Sequence, residues 1–217
     1  MTDTRTLIDQ LASNARPVRP LASPLRRTLL WALLAAVVIA VLVANLGLQP
    51  GVMSSAPRVV EWTGSLLTAL MAAYAVFQIS VPGRSPSWAW LPMPPLLLWL
   101  GALGWGCAGE FLQSGGQALA WESASWQCAQ AITMISLPLG FIMLLMVRHA
   151  GVVRPAPTAA LAALSAAAMS AAGVSLFHEG ESALMVLVWH LGAVAVLSLL
   201  SWLLGRHLFA WIGHARR

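Results

Sequence analysis

Long apolar runs separated by short polar breaks make up most of the chain. Six such runs, at 28–48, 59–81, 88–108, 127–147, 157–177 and 184–204, are nearly free of charge. A hydrocarbon core of about 30 Å is crossed by roughly 20 apolar residues wound as an α-helix. In lipid the backbone must satisfy its own hydrogen bonds, and runs of this length do so as helices. The alternating pattern of a membrane β-barrel is not seen. The pattern therefore predicts an all-α polytopic membrane protein with six transmembrane helices. A polar stretch of 27 residues precedes the first run, which is also longer than the apolar region of a signal peptide, so it reads as a first span.

The polar segments divide the chain into a tail at 1–27, a bundle at 28–204 and a basic C-terminal tail at 205–217. The opening "MTDTRTLIDQLASNAR" (Met1–Arg16) reads as a short amphipathic helix. Leu7, Ile8 and Leu11 fall on one face at helical spacing, and Thr6 with Asp9 forms a local capping pair. A helix this short is marginal alone in water and needs a surface to dock on. That surface is either the membrane and the protein's own loops, or a groove on a partner. "RPVRPLASP" (Arg16–Pro24) follows, and its three prolines make a semi-rigid spacer. Pro92, Pro94 and Pro95 open the third span, where missing amide donors cost least. Pro138 falls mid-way along the fourth and predicts a kink. The fifth, with "AALAALSAAAMSAAG" (Ala159–Gly173), is built of small residues and is expected at the bundle centre. Gly101 and Gly104 are expected to allow close approach to the third span in the same way.

Composition agrees with the pattern. The chain is 59% hydrophobic and 9% charged, against about a quarter charged in soluble domains. It has no lysine, and its twelve cationic residues are all arginine. With six spans, eleven of these arginines fall on one side, and only Arg58 falls on the other. Positive charge stays cytoplasmic, so both termini are expected inside, and the loop joining Cys107 to Cys128 is expected outside. The net charge of +5 is thus explained by topology, with membrane lipid as the counter-charge and no direct nucleic-acid partner implied. Trp31, Trp88, Trp90, Trp202 and Trp211 near one interface, and Trp62, Trp105, Trp121 and Trp126 near the other, read as aromatic belts.

Candidate chemistry gathers on the expected outer side. Cys107 and Cys128 are the only cysteines; Glu110 follows the first of them, His178 and Glu179 end the fifth span, and Glu61 starts the second. His190 lies six residues into the sixth run, about 9 Å deep at 1.5 Å per residue. A polar group at that depth faces the bundle and takes a partner. A short hairpin between the third and fourth spans brings the two cysteines together. Three roles fit the pair: a structural disulfide, a redox or soft-metal sensor with Cys107, Cys128 and His178 as ligands, or two unrelated packing residues. No cofactor is obligatory; the metal contemplated is a transient soft ion. Esterase, zinc-protease, nucleotide and dinucleotide motifs are missing, so the chain does not read as an enzyme. The alternative is a small membrane transporter or a thiol/quinone redox enzyme built on the outer Cys/His cluster.

Several short stretches together resemble one family. They are "LIDQLASNARPVRPL" (Leu7–Leu21), "VPGR" (Val81–Arg84), "GALGWGC" (Gly101–Cys107), "SWQC" (Ser125–Cys128), "SLPL" (Ser136–Leu139) and "VWH" (Val188–His190). Their order and the six-span frame are similar to the negative-regulator-of-sigma-F (NrsF) group of integral membrane proteins. The resemblance implies an anti-sigma factor of the bacterial inner membrane. Such a protein holds an extracytoplasmic-function sigma factor at its cytoplasmic face and releases it when outward cysteines sense metal or oxidant. Cys107 and Cys128 match the implicated positions, with Glu110, His178 and His190 nearby. Many relatives have a further cysteine after the histidine that ends the fifth span; here "FHEG" (Phe177–Gly180) has Glu179. On this resemblance the tail becomes the partner-binding element, with Leu7, Ile8 and Leu11 as anchors and Arg16 and Arg19 beside them.

Overall fold

The computed structural model describes residues 3–14, 20–49, 55–115, 126–177 and 187–213. Among these residues the secondary structure is helical. The α-helices are α1 (Thr4–Ser13), α2 (Pro24–Leu46), α3 (Ala56–Ile79), α4 (Met93–Ser114), α5 (Trp126–Val147), α6 (Pro155–Val174) and α7 (Gly192–Gly213). A 3-10 turn, Pro86–Trp90, leads into α4, and a π-helical turn, Leu187–Leu191, leads into α7. Six of these stretches are long and apolar enough to cross a membrane, and they coincide with the six predicted runs apart from their ends. The largest shift is at the last, which continues to Gly213, so that the described part of 205–217 is still helix.

Helix ends follow local chemistry. Proline occupies the first turn of α2, α3, α4 and α6, where its missing N–H breaks no helical bond. Ser23 caps α2 by accepting from the Arg26 amide at 3.4 Å. The cap of α1 is Asp3, which accepts from the Arg5 amide. Thr6 and Asp9, expected as the capping pair, therefore lie inside the helix, because it begins at Thr4. Gly47 closes α2 with a φ of 90°, a backbone angle that side chains other than glycine's resist. The α5 helix is continuous through Pro138.

Helix α6 is the centre of the bundle, as its small residues predict. It packs against α7, α3 and α5, and all of its residues from Leu164 to Val174 are buried. Lipid offers no hydrophobic drive for helix pairing, so association rests on close fit and interhelical hydrogen bonds. Both are visible here. Ser165 Oγ donates to the Ala69 carbonyl at 2.7 Å, and Trp62 Nε1 donates to the Ala172 carbonyl at 3.1 Å, which aligns α3 and α6 antiparallel. A Cβ at Gly205 of α7 would lie 2.8 Å from the Ala156 Cα and the Pro155 oxygen of α6. Gly64 of α3 is similarly closed against the Trp99 backbone of α4, at 3.1 Å. Gly101 and Gly104, expected to mediate such approach, instead face open space, because α4 meets α3 along its other side. Trp31, expected in an aromatic belt, is fully buried, its indole N–H donating to the Leu139 carbonyl at 3.3 Å.

Candidate functional site

The antiparallel run of spans gathers the starts of α2, α4 and α6 and the ends of α3, α5 and α7 at one end of the bundle. Arg26, Arg27, Arg84, Arg148, Arg154 and Arg206 lie there. The opposite end holds Arg58, Glu61, Cys107, Glu110, Cys128 and His190. The two ends thus differ in chemistry as well as in charge.

At the arginine end, two interhelical loops are tied together. Arg154 Nη1 donates to the Arg84 carbonyl at 3.2 Å, joining the loop after α5 to the loop after α3. Beside it, Gly151, at a φ of 68°, comes within 3.7 Å of the Pro82 ring if given a Cβ. Arg148 Nε donates to His149 Nε2 at 2.9 Å. The tail precedes α2, whose start lies at this end, and no residue of α1 is buried. Leu7, Ile8 and Leu11 are 50%, 58% and 65% exposed, so the apolar face of α1 is unpartnered by the described residues. Arg16 and Arg19 lie outside the described residues.

Arg27 behaves unlike its neighbours. By sequence it is one more topology arginine, but it is 6% exposed. Its Nη2 donates to the Met146 carbonyl at 2.8 Å, one of the last carbonyls of α5, which lacks a helical partner. A cation is also favoured at a helix C-terminus. The guanidinium lies 4.5 Å from the centroid of the Phe77 ring of α3, within cation–π range. The available signal was the i, i+4 spacing of Arg27 and Trp31, which sets both on one face of α2.

At the opposite end the cysteines are placed differently from each other. Cys107 on α4 is half-buried, Cys128 near the start of α5 is 1% exposed, and no disulfide joins them. The expected third-to-fourth-span hairpin does not make α4 and α5 close neighbours over their described lengths. Helix α4 leans on α3, and α5 leans on α6. The π-helical turn Leu187–Leu191 touches both, and it carries His190, 5% exposed. Turns of this kind inside a span occur frequently at functional sites. Glu110 is half-buried one turn beyond Cys107. His178 and Glu179 lie outside the described residues. Among the described residues no three His, Cys, Asp or Glu side chains gather as a metal-holding group. Elsewhere, a groove of about 320 Å³ between α5, α6 and α7 is lined by Ser136, Ser201 and apolar side chains, with no ionisable group.

Comparison with curated proteins and with solved structures finds no match. A family model, described as negative regulator of sigma F, matches residues 11–211. That range takes in all six spans and both ends of the bundle, and the chain belongs to the NrsF family of negative regulators of a sigma factor.

Proposed function

We propose that this protein is a membrane anti-sigma factor that holds an extracytoplasmic-function sigma factor at its arginine-rich end, on the cytoplasmic side of the bacterial inner membrane, with both termini inside. The carrying observation is the apolar face of α1, with Leu7, Ile8 and Leu11 exposed on a short helix tethered to a negative regulator of a sigma factor. An exposed amphipathic helix of this length gains stability by laying its apolar face into a partner's groove. Arg16, Arg19 and the joined loops at Arg84 and Arg154 supply a cationic rim for the same partner. Co-purification from membranes tests this. The wild-type chain recovers a sigma factor, and Leu7→Asp with Leu11→Asp loses it; retention by the double variant refutes binding through α1.

The input is assigned to the other end. Cys107 and Cys128 change state by losing two electrons and two protons to an external oxidant as a disulfide forms, or by holding a soft cation with His178. The burial of Cys128 supports a signal tied to helix movement, since neither chemistry reaches it without local opening. Glu110, one turn beyond Cys107, and His190, on the turn that touches α4 and α5, are assigned to the same input. Cys107→Ser and Cys128→Ser are expected to blunt induction of the target promoter by cadmium or a thiol oxidant. An unchanged induction curve in both variants returns the cysteines to packing.

A further inference from the structure

We infer that Arg27 is a positioning residue that fastens the root of the partner-binding tail to helix α5, so that α5 carries movement from Cys128 to the tail. This rests on the reading of the tail as the protein's output. The path is built of observed contacts. Cys128 and Met146 are on one continuous helix, Trp126–Val147, and about 27 Å of helix axis separates them at 1.5 Å per residue. At the Met146 end the carbonyl accepts from Arg27 Nη2 at 2.8 Å. Arg27 lies in the first turn of α2, where Ser23 and Pro24 end the spacer from α1.

A second bond one turn on has the same sense. Trp31 Nε1 donates to the Leu139 carbonyl at 3.3 Å, so α2 is held to α5 at two levels on one face. Direct packing between α2 and α5 is otherwise sparse, and α2 lies mainly against α3. The two polar bonds therefore carry much of what joins α2 to α5. The Phe77 ring beneath the guanidinium holds Arg27 in place and adds α3 to the joint. A buried guanidinium that loses its acceptor is strongly disfavoured, so displacement of the α5 terminus is expected to draw the first turn of α2 with it.

A pathway of this kind needs measured coupling rather than adjacency. Hydrogen exchange of the full chain in lipid nanodiscs supplies it through a double-variant cycle. Cys128→Met enlarges a fully packed side chain at the far end of α5. Alone, it is expected to speed exchange at the amides of residues 26–30 by about threefold or more; in an Arg27→Met background it is expected to leave them unchanged. If Arg27 only stabilises the fold, Arg27→Met lowers Tm and raises basal exchange, yet the Cys128→Met factor persists; that result overturns the inference. So does the absence of any effect of Cys128→Met on the α2 amides. Should Arg27→Met fail to fold, Trp31→Phe, which keeps an aromatic side chain and removes the indole donor, is expected to reduce the same factor, and an undiminished factor refutes the link. No sigma factor is present in this experiment, so its failure leaves the anti-sigma reading to the co-purification result, and the reverse also holds.

Discussion

Which way a small residue faces decides what it is for. Gly205 is pressed against the α6 backbone at 2.8 Å, where neither Ala156 Cα nor the Pro155 oxygen can turn aside. Gly101 is open on the same measure. Gly205→Ala is expected to destabilise the bundle by about 1–3 kcal/mol through overpacking, and Gly101→Ala to stay within about 0.5 kcal/mol of wild type. Thermal unfolding in one detergent compares the two, and equal Tm values for both variants contradict the packing described. The same scale separates the thiols. Cys107 is half-buried and Cys128 is almost inaccessible, and thiol reactivity follows exposure as well as ionisation. A membrane-permeant maleimide should modify Cys107 about tenfold faster than Cys128 or more, as read by mass shift of the single Cys→Ser variants. Comparable rates place Cys128 in an open site.

Among the elements, α1 and α6 are opposites. Helix α6 is held by α3, α5 and α7, so tertiary packing supports it along most of its length. Helix α1 has ten residues, an Asp3 cap and no buried side chain. Isolated helices shorter than about 12–15 residues are marginal in water. A synthetic peptide of residues 1–23 is therefore expected to show little helical circular dichroism alone and to gain it when its sigma-factor partner is added. A peptide that is fully helical alone, or that stays disordered in the complex, speaks against coupled folding of the tail. The start of α6 was legible in the chain to within two residues, because proline marks helix starts and small residues mark crowded contacts in ways that depend on local chemistry alone. The cap at Asp3 was missed because Thr6 and Asp9 have the spacing of a capping pair too, and spacing alone does not say which polar residue precedes the first helical turn.

At the scale of the whole molecule, six crossings put the two termini on one side whatever the orientation. On the proposed topology, the arginine distribution assigns that side to the cytoplasm. Phosphatase fused after residue 120 is expected to be active in cells and phosphatase fused after residue 213 inactive, and the reverse pattern inverts the topology. The number of spans, their extents and the central place of α6 could be read from the sequence, because lipid is a nearly one-dimensional solvent. It asks each stretch of about 20 residues only whether it is apolar, and small residues state where neighbours come close. Which helix meets which was decided by the tertiary structure. Apolar side chains are as much at home in lipid as against one another, so hydropathy does not choose partners; steric fit and a few polar bonds do. That is why Cys107 and Cys128, neighbours in a simple hairpin, sit on helices that lean toward α3 and α6. It is also why Arg27, one of a dozen arginines by sequence, is the one among the described residues whose guanidinium closes the end of α5.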